Sequence, residues 1–198
     1  PAIGRIEYAE IFQAGQAFQM GRYPIHFHML GSIPGSYVRG CGIHDTFNRA
    51  LTIHGVHNFL VEKNVAYNIK GHTFFMEDAI ETKNIVRKNL GILTKKSFSL
   101  LNSDTTPATF WITNPFNFYE GNRAAGSEEY GFWLEFPDKA TGLSTKSKAC
   151  PQEFPLGSFK ENSSHSNLKY GVRFFPAFNP KNKPCEEFSK IEDYNDDK

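Results

Sequence analysis

Leu60-Val61-Glu62-Lys63-Asn64, Ile85-Val86-Arg87-Lys88-Asn89 and Phe118-Tyr119-Glu120-Gly121-Asn122 are three copies of one unit. Each has two apolar positions, a charged residue, a spacer and an asparagine. Looser copies end at Asn162 (Ser158-Phe159-Lys160-Glu161-Asn162), at Cys41 (Tyr37-Val38-Arg39-Gly40-Cys41) and at Gly15 (Ile11-Phe12-Gln13-Ala14-Gly15). Successive ends lie 26, 23, 25, 33 and 40 residues apart. Thirteen residues beyond each end a second apolar segment closes, at His28, His54, Glu77, Asn102, Glu135 and Phe175. Period-2 alternation in coils of this length, with no amphipathic helix between them, predicts an all-β fold. That fold is a single-stranded right-handed parallel β-helix of about six coils, pectin-lyase-like in architecture. No coil can bury its apolar face alone, so coils stack and share one core. The repeats span 1–185, with insert loops near 103–117 and 136–157, and 186–198 reads as a charged, frayed tail.

Asn64, Asn89, Asn122 and Asn162 predict an inward ladder at one bend, where amides hydrogen-bond along the stack and asparagine tolerates a left-handed backbone. The charged positions Arg39, Glu62, Arg87, Glu120 and Lys160 alternate in sign, so adjacent rungs attract.

Parity sorts the second segment. Ile25, Phe27, Leu51, Ile53, Phe74, Met76, Leu101, Phe132 and Leu134 point inward, which turns His26, His28, Thr52, His54, Phe75, Glu77, Leu100, Asn102, Trp133 and Glu135 outward. His28, His54 and Glu77 then form a column on rungs about 4.8 Å apart, with His26 two residues along the first strand. Two or three imidazoles and a carboxylate on rigid strands fit one divalent, zinc-like transition metal. The same groups suit acid–base chemistry, with Glu77 and His54 the catalytic pair if the protein is an enzyme. The competing reading is a solvated polar face whose histidines hydrogen-bond sideways. Phe75 and Trp133 on that face, with Asn102 and Glu135, make a shallow aromatic–polar groove suited to a polysaccharide, unless loops cover them as a secondary cluster. Arg49, His72 and Tyr130, five residues before the polar column, are placed at the groove's edge or at a bend.

The chain has 198 residues, 39% hydrophobic, with 22 basic and 21 acidic residues and a net charge of +1. That balance disfavours a nucleic-acid binder relying on phosphate neutralisation. No apolar run approaches the ~18–20 residues of a membrane span, so no membrane contact is expected of this segment. The sequence begins Pro1-Ala2-Ile3 and reads as a fragment or a processed product. Cys150 and Cys185 flank a late segment and read as a disulfide pair with Cys41 buried and free; the alternative is three unpaired thiols. Asn162-Ser163-Ser164 is a glycosylation sequon whose asparagine belongs to the inward ladder, so it is expected to be unmodified.

Gly21-Arg22-Tyr23-Pro24-Ile25-His26-Phe27-His28 resembles the β-helix region of fibrocystin-L and its relatives, among them cell-surface and secreted proteins of hyaluronan degradation. The likeness runs through Gly35-Ser36-Tyr37-Val38-Arg39-Gly40, Asn48-Arg49-Ala50-Leu51-Thr52-Ile53-His54-Gly55, Pro107-Ala108-Thr109-Phe110-Trp111-Ile112-Thr113-Asn114-Pro115 and Gly131-Phe132-Trp133. It covers about residues 10–175. Cys150-Pro151 and Pro155-Leu156-Gly157 are more similar to the fibrocystin-L branch. The resemblance implies a parallel β-helix from a large extracellular or cell-surface protein. The expected function is a non-catalytic module that binds a polysaccharide, a glycoprotein or neighbouring domains of the parent chain. The alternative is a metal-assisted glycosidase or depolymerase of a hyaluronan-like polymer.

Overall fold

The computed structural model describes residues 3–99 and 102–193. Three parallel sheets of six strands wind around one core. The first stacks Arg5–Glu7, Tyr37–Arg39, Leu60–Glu62, Ile85–Arg87, Phe118–Glu120 and Ser158–Lys160. The second stacks Glu10–Phe12, Gly42–His44, Val65–Lys70, Leu90–Lys95, Arg123–Ala125 and Ser163–His165. The third stacks Ile25–Ser32, Leu51–His57, Phe74–Met76, Ala108–Ile112, Tyr130–Leu134 and Tyr170–Phe174. Each turn of the chain gives one strand to each sheet, so the molecule is a six-coil parallel β-helix. No helix among the described residues is long and apolar enough to cross a membrane.

The shortness of the first sheet's strands follows from the repeat. Each buries one central residue, Val38, Val61, Val86 or Tyr119, and turns its neighbours outward. In the third sheet Phe74, Phe110 and Phe132 stack ring on ring, with centroids 4.8 and 4.6 Å apart. The bend after the first sheet needs one left-handed residue per coil, supplied by Tyr8, Gly40, Lys63, Lys88, Gly121 and Glu161. This corrects the expectation that the asparagine itself takes that conformation: the residue before it does. At Gly40 a side chain is also excluded by space, since a Cβ there would lie 2.7 Å from the Tyr8 ring.

The asparagine is then free to bond along the stack. The Asn64, Asn89 and Asn122 backbone N–H groups donate to the side-chain oxygens of Asn89, Asn122 and Asn162 in turn, each within 2.9–3.0 Å. Their Nδ2 groups donate to Val38, Val61 and Val86 carbonyls of the preceding coil. The Asn162 amide donates to the Tyr119 carbonyl, so the sequon's nitrogen is engaged inside the ladder. A second, shorter ladder of Asn84 and Asn117 does the same work at the bend that leads into the first sheet. On the outer side the charged column pairs as Arg39–Glu7, Arg87–Glu62 and Lys160–Glu120. Such exposed pairs stabilise by at most ~1 kcal/mol each and serve mainly to set register.

Four of the six coils keep the thirteen-residue offset; two do not. Ile6 pairs with Val38, so the first repeat ends at Ala9 and not at Gly15. Its third-sheet strand follows only after an insertion at 14–24. In the fourth coil Phe110 and Trp111 pair with Phe74 and Phe75, so Ala108–Ile112 is a core strand and the insertion is 96–107, ahead of it. Ala108–Ile112 thus takes the rung position expected of Ser99–Asn102. Asn102 begins a short 3-10 helix, Asn102–Thr105, and Leu100 and Leu101 lie outside the described residues. Both departures from the offset have one cause: an insertion inside the coil moves the apolar pattern, and a chance apolar stretch falls at the expected spacing. Residues 136–157 connect Tyr130–Leu134 to Ser158–Lys160. Cys150 and Cys185 are bonded and Cys41 is free and buried. The tail is corrected too: Glu186–Asp193 is a helix whose Phe188 packs on Phe154 beside the disulfide.

Candidate functional site

His28 pairs directly with His54, and the Glu77 backbone N–H donates to the Ile53 carbonyl, so His28, His54 and Glu77 stand on three successive rungs. The rings of His26, His28 and His54 cluster with centroids 4.7–5.8 Å apart. Two sets of candidate donor atoms, each within 4.8 Å of one another, share His54: His26 with His28, and Glu77 with Asp78. All five line a cavity of about 430 Å³ whose rim carries Met20, Gly142 and Leu143.

Asp78 does not follow strand alternation. The strand ends at Met76, so Glu77 and Asp78 leave on a bend and both carboxylates reach His54. Asp78 Oδ2 accepts from His54 Nε2 at 2.9 Å and from the backbone N–H and hydroxyl of Ser144 at 3.0 and 2.8 Å. The 136–157 insertion therefore clamps the site, with the Thr141 N–H donating to the Asp78 carbonyl. Gly142 is required there: its φ is +53°, and a Cβ would fall on the Asp78 carboxylate.

Hydrogen bonds at the far side of each ring fix what faces the cavity. His26 Nδ1 donates to the Gly21 carbonyl at 3.0 Å, which leaves its Nε2 as a lone pair. His54 donates from Nε2 to Asp78, which turns Nδ1 toward Glu77 Oε2, 3.3 Å away. His26 Nε2, His54 Nδ1 and Glu77 Oε2 are all buried without a hydrogen-bond partner among the described residues. Orphaned buried polar atoms are rare and call for a cause. Burial lowers the His26 pKa to about 4, so that ring is neutral. Burial also pulls His54 down, but the Asp78 hydrogen bond and the charges of Glu77, Asp78 and Glu81 outweigh it and leave it raised. Burial raises Glu77. The carboxylates thus favour a cation at His54 Nδ1, whether a proton or a metal ion.

The rest of the expected groove is not open. Phe75 and Trp133, 4% and 9% exposed, lie in a satellite cluster with Ala108, Trp111 and Tyr130. Trp111 was missed with the displaced fourth-coil strand. Arg49 and His72 are fully buried and form the roof of that cluster instead of a groove edge. The Arg49 guanidinium sits 3.7 Å above the Phe75 ring and binds Asp104 through both oxygens, at 3.0 and 2.7 Å. His72 lies over Phe75 and Trp111 and accepts the Ala108 N–H on Nδ1. Tyr130 stacks on Tyr170 and takes a hydrogen bond from Arg173. Asn102, in the 96–107 insertion, is not on the column. Glu135 is on it, one rung beyond Thr113, half-buried, its pKa pushed by burial up to about 7.

His72 yields a pH prediction. Burial lowers its pKa to about 3. The unfolded residue protonates below about pH 6.5 while the folded one stays neutral, so the unfolded chain binds more protons and stability falls as pH falls from 6.5 to 3. His72→Asn keeps an acceptor for Ala108 but cannot titrate. Its melting temperature is expected to fall less than the wild type's between pH 6.5 and 4, by the equivalent of ~1 kcal/mol per pH unit. Parallel pH profiles would show that His72 is charged in the fold.

Fold and cavity define a parallel β-helix with a histidine–carboxylate centre clamped on its outer face. The chain belongs to the CEMIP β-helix family, whose family model matches residues 2–172. It is 49% identical over 178 residues to fibrocystin-L of Mus musculus, an alignment covering 89% of the chain and 4% of that protein. It is 37% identical over 201 residues to the human cell surface hyaluronidase CEMIP2, covering 84% of the chain and 14% of the relative. The human cell migration-inducing and hyaluronan-binding protein is 36% identical over 200 residues, with 84% and 15% covered. The chain thus spans between 4% and 15% of the length of these relatives.

Proposed function

We propose that the chain is the β-helix module of an extracellular surface protein, that its pocket holds one divalent transition metal, and that the module binds a polysaccharide or neighbouring domains without cleaving them. The two donor clusters that share His54, His26 with His28 and Glu77 with Asp78, in which His26 Nε2, His54 Nδ1 and Glu77 Oε2 are buried without a hydrogen-bond partner among the described residues, carry the metal reading. His28, exposed on the same rung as His26, supplies a further nitrogen. Nitrogen-rich donors favour a zinc-like ion over calcium, which takes mainly oxygen. A bound ion would supply a Lewis-acid centre for a sugar oxygen; the protein's part is to hold the donors rigid through Gly21, Asp78 and Ser144. The names of two relatives carry hyaluronan, which supports a glycan as the ligand.

Metal-assisted depolymerisation is the second reading, favoured by two carboxyls that burial raises, Glu77 and Glu135, the latter to about 7, where it can hold a proton near neutrality. Against it, those carboxyls are two rungs apart, about 10 Å by rung spacing, beyond the ~6.5–9.5 Å of an inverting pair. Size analysis of hyaluronan incubated with the complete ectodomain, with and without chelator, separates the two. The binding reading predicts unchanged polymer length. Chelator-sensitive shortening that Glu77→Gln abolishes would replace it with the enzyme.

A further inference from the structure

The charged column of the first sheet begins on an acid and ends on a base. From the first rung to the sixth it runs Glu7, Arg39, Glu62, Arg87, Glu120, Lys160, with strict alternation of sign. A seventh rung that kept the alternation would carry an acid opposite Lys160, and the first rung carries one. The inward positions match as well. In the register the six coils keep, a first coil placed beyond the last would set Ile6 over Phe159, Ile25 over Val172 and Phe27 over Phe174, apolar on apolar. On the second sheet it would set Phe12 over His165; Phe12 already stacks on His44, with ring centroids 5.5 Å apart.

The last coil is built like an interior one. Val172 and Phe174 hold the core positions of Phe132 and Leu134 one rung earlier, yet they are 45% and 52% exposed where those are 0% and 2%. A solenoid that ends in solvent needs a polar outer repeat, and a bare strand edge is a template for another strand. Ser158–Lys160, Ser163–His165 and Tyr170–Phe174 each stand at the edge of their sheet. The flanking segments fold back along the stack. Phe47 and Asn48 of the second coil hold 14–24; beyond the last strand Phe178 packs on Phe136, and the Asn179 and Lys181 N–H groups donate to the Gln152 and Glu153 carbonyls.

We infer that the last coil is a docking surface for the first coil of a second copy, so that chains add head to tail as one continuous parallel β-helix. Charge selects this partner edge. Two last coils meeting face to face would set two lysine-ended columns against each other, whereas the first coil brings Glu7 to Lys160. Apolar area comes chiefly from the last coil; at the first coil Ile25 and Phe27 are already buried, and that end contributes its strand edges and the acid. The contact joins two different surfaces and does not close on itself, so growth continues past the dimer. Neither the metal nor the ligand enters the inference.

Sedimentation velocity of the 198-residue chain over a concentration series tests it. Mass is expected to rise with concentration and to pass that of a dimer. Lys160→Glu and Glu7→Lys, both at exposed positions, are each expected to weaken association about tenfold, because each sets like charges on adjacent rungs. An equimolar mixture of the two variants is expected to regain it, since every contact between unlike chains then pairs an acid with a base. Val172→Asp is expected to abolish association with an unchanged circular dichroism spectrum, its side chain being half exposed in the single chain. A chain that stays monomeric throughout, a mass that stops at the dimer, indifference to the two charge reversals, or a mixture no better than its components would each overturn the head-to-tail contact.

Discussion

Asp104→Ala is expected to lower the melting temperature by on the order of 10 °C. Arg49 and Asp104 are both fully buried, and the aspartate is the guanidinium's counter-charge. Besides it, Arg49 has the Tyr23 hydroxyl at 3.2 Å and the Phe75 face, neither of which neutralises a charge. Removing one partner of a buried pair costs ~3–5 kcal/mol, because the survivor stays desolvated and unpaired. At ~2–4 °C per kcal/mol for a chain of this size, that gives the stated drop. Removing both charges with Arg49→Leu/Asp104→Leu is expected to cost less than Asp104→Ala alone. The two thermal scans decide it: if the double variant is the less stable, the pair contributes net stability and the stranded-charge account fails.

Asn89→Ala is expected to cost about 3 kcal/mol. Asn89 Oδ1 accepts from the Asn64 N–H and amide, and Nδ2 donates to Val61 O and Asn122 Oδ1. Alanine would leave the Asn64 N–H and the Val61 carbonyl buried without those partners, at ~1–3 kcal/mol for each orphaned group. Asn162→Ala, at the ladder's end and partly exposed, is expected to cost about half as much on the same scale. Denaturant unfolding of the two variants checks the ranking; equal losses would mean that the bonds do not act as a stack.

How far these features could be read in advance depended on whether they recur. Asn64, Asn89, Asn122 and Asn162 fill one rung position with one chemistry, and the charges beside them alternate, so spacing alone revealed ladder and column. The coils carrying insertions broke that rule. Arg5-Ile6-Glu7-Tyr8-Ala9 has the right pattern, but 14–24 pushed its strand out of phase, and Phe110-Trp111-Ile112 was displaced in the same way by 96–107. Within the site, His26, His28, His54 and Glu77 were legible because three lie on strands in one register. Asp78 was not, because alternation stops where the strand stops at Met76, and its clamp comes from Ser144, 66 residues on. Burial of Phe75 and Trp133 stood only as one of two alternatives, because local parity says which way a side chain points, but not that distant Arg49, Asp104 and Arg173 fold over it.

The pocket of His26, His28, His54 and Glu77 is expected to hold one metal ion. Elemental analysis of the purified protein, dialysed at neutral pH against buffer containing zinc, is expected to return one ion per chain for the wild type. His28→Ala/His54→Ala should return none, with an unchanged circular dichroism spectrum, since neither ring belongs to the core. Wild-type occupancy should fall as pH drops through the imidazole range, near 6.5 and below, where protons compete for the same lone pairs. Metal retained by the double variant, or a wild type that binds none at neutral pH, would contradict the account.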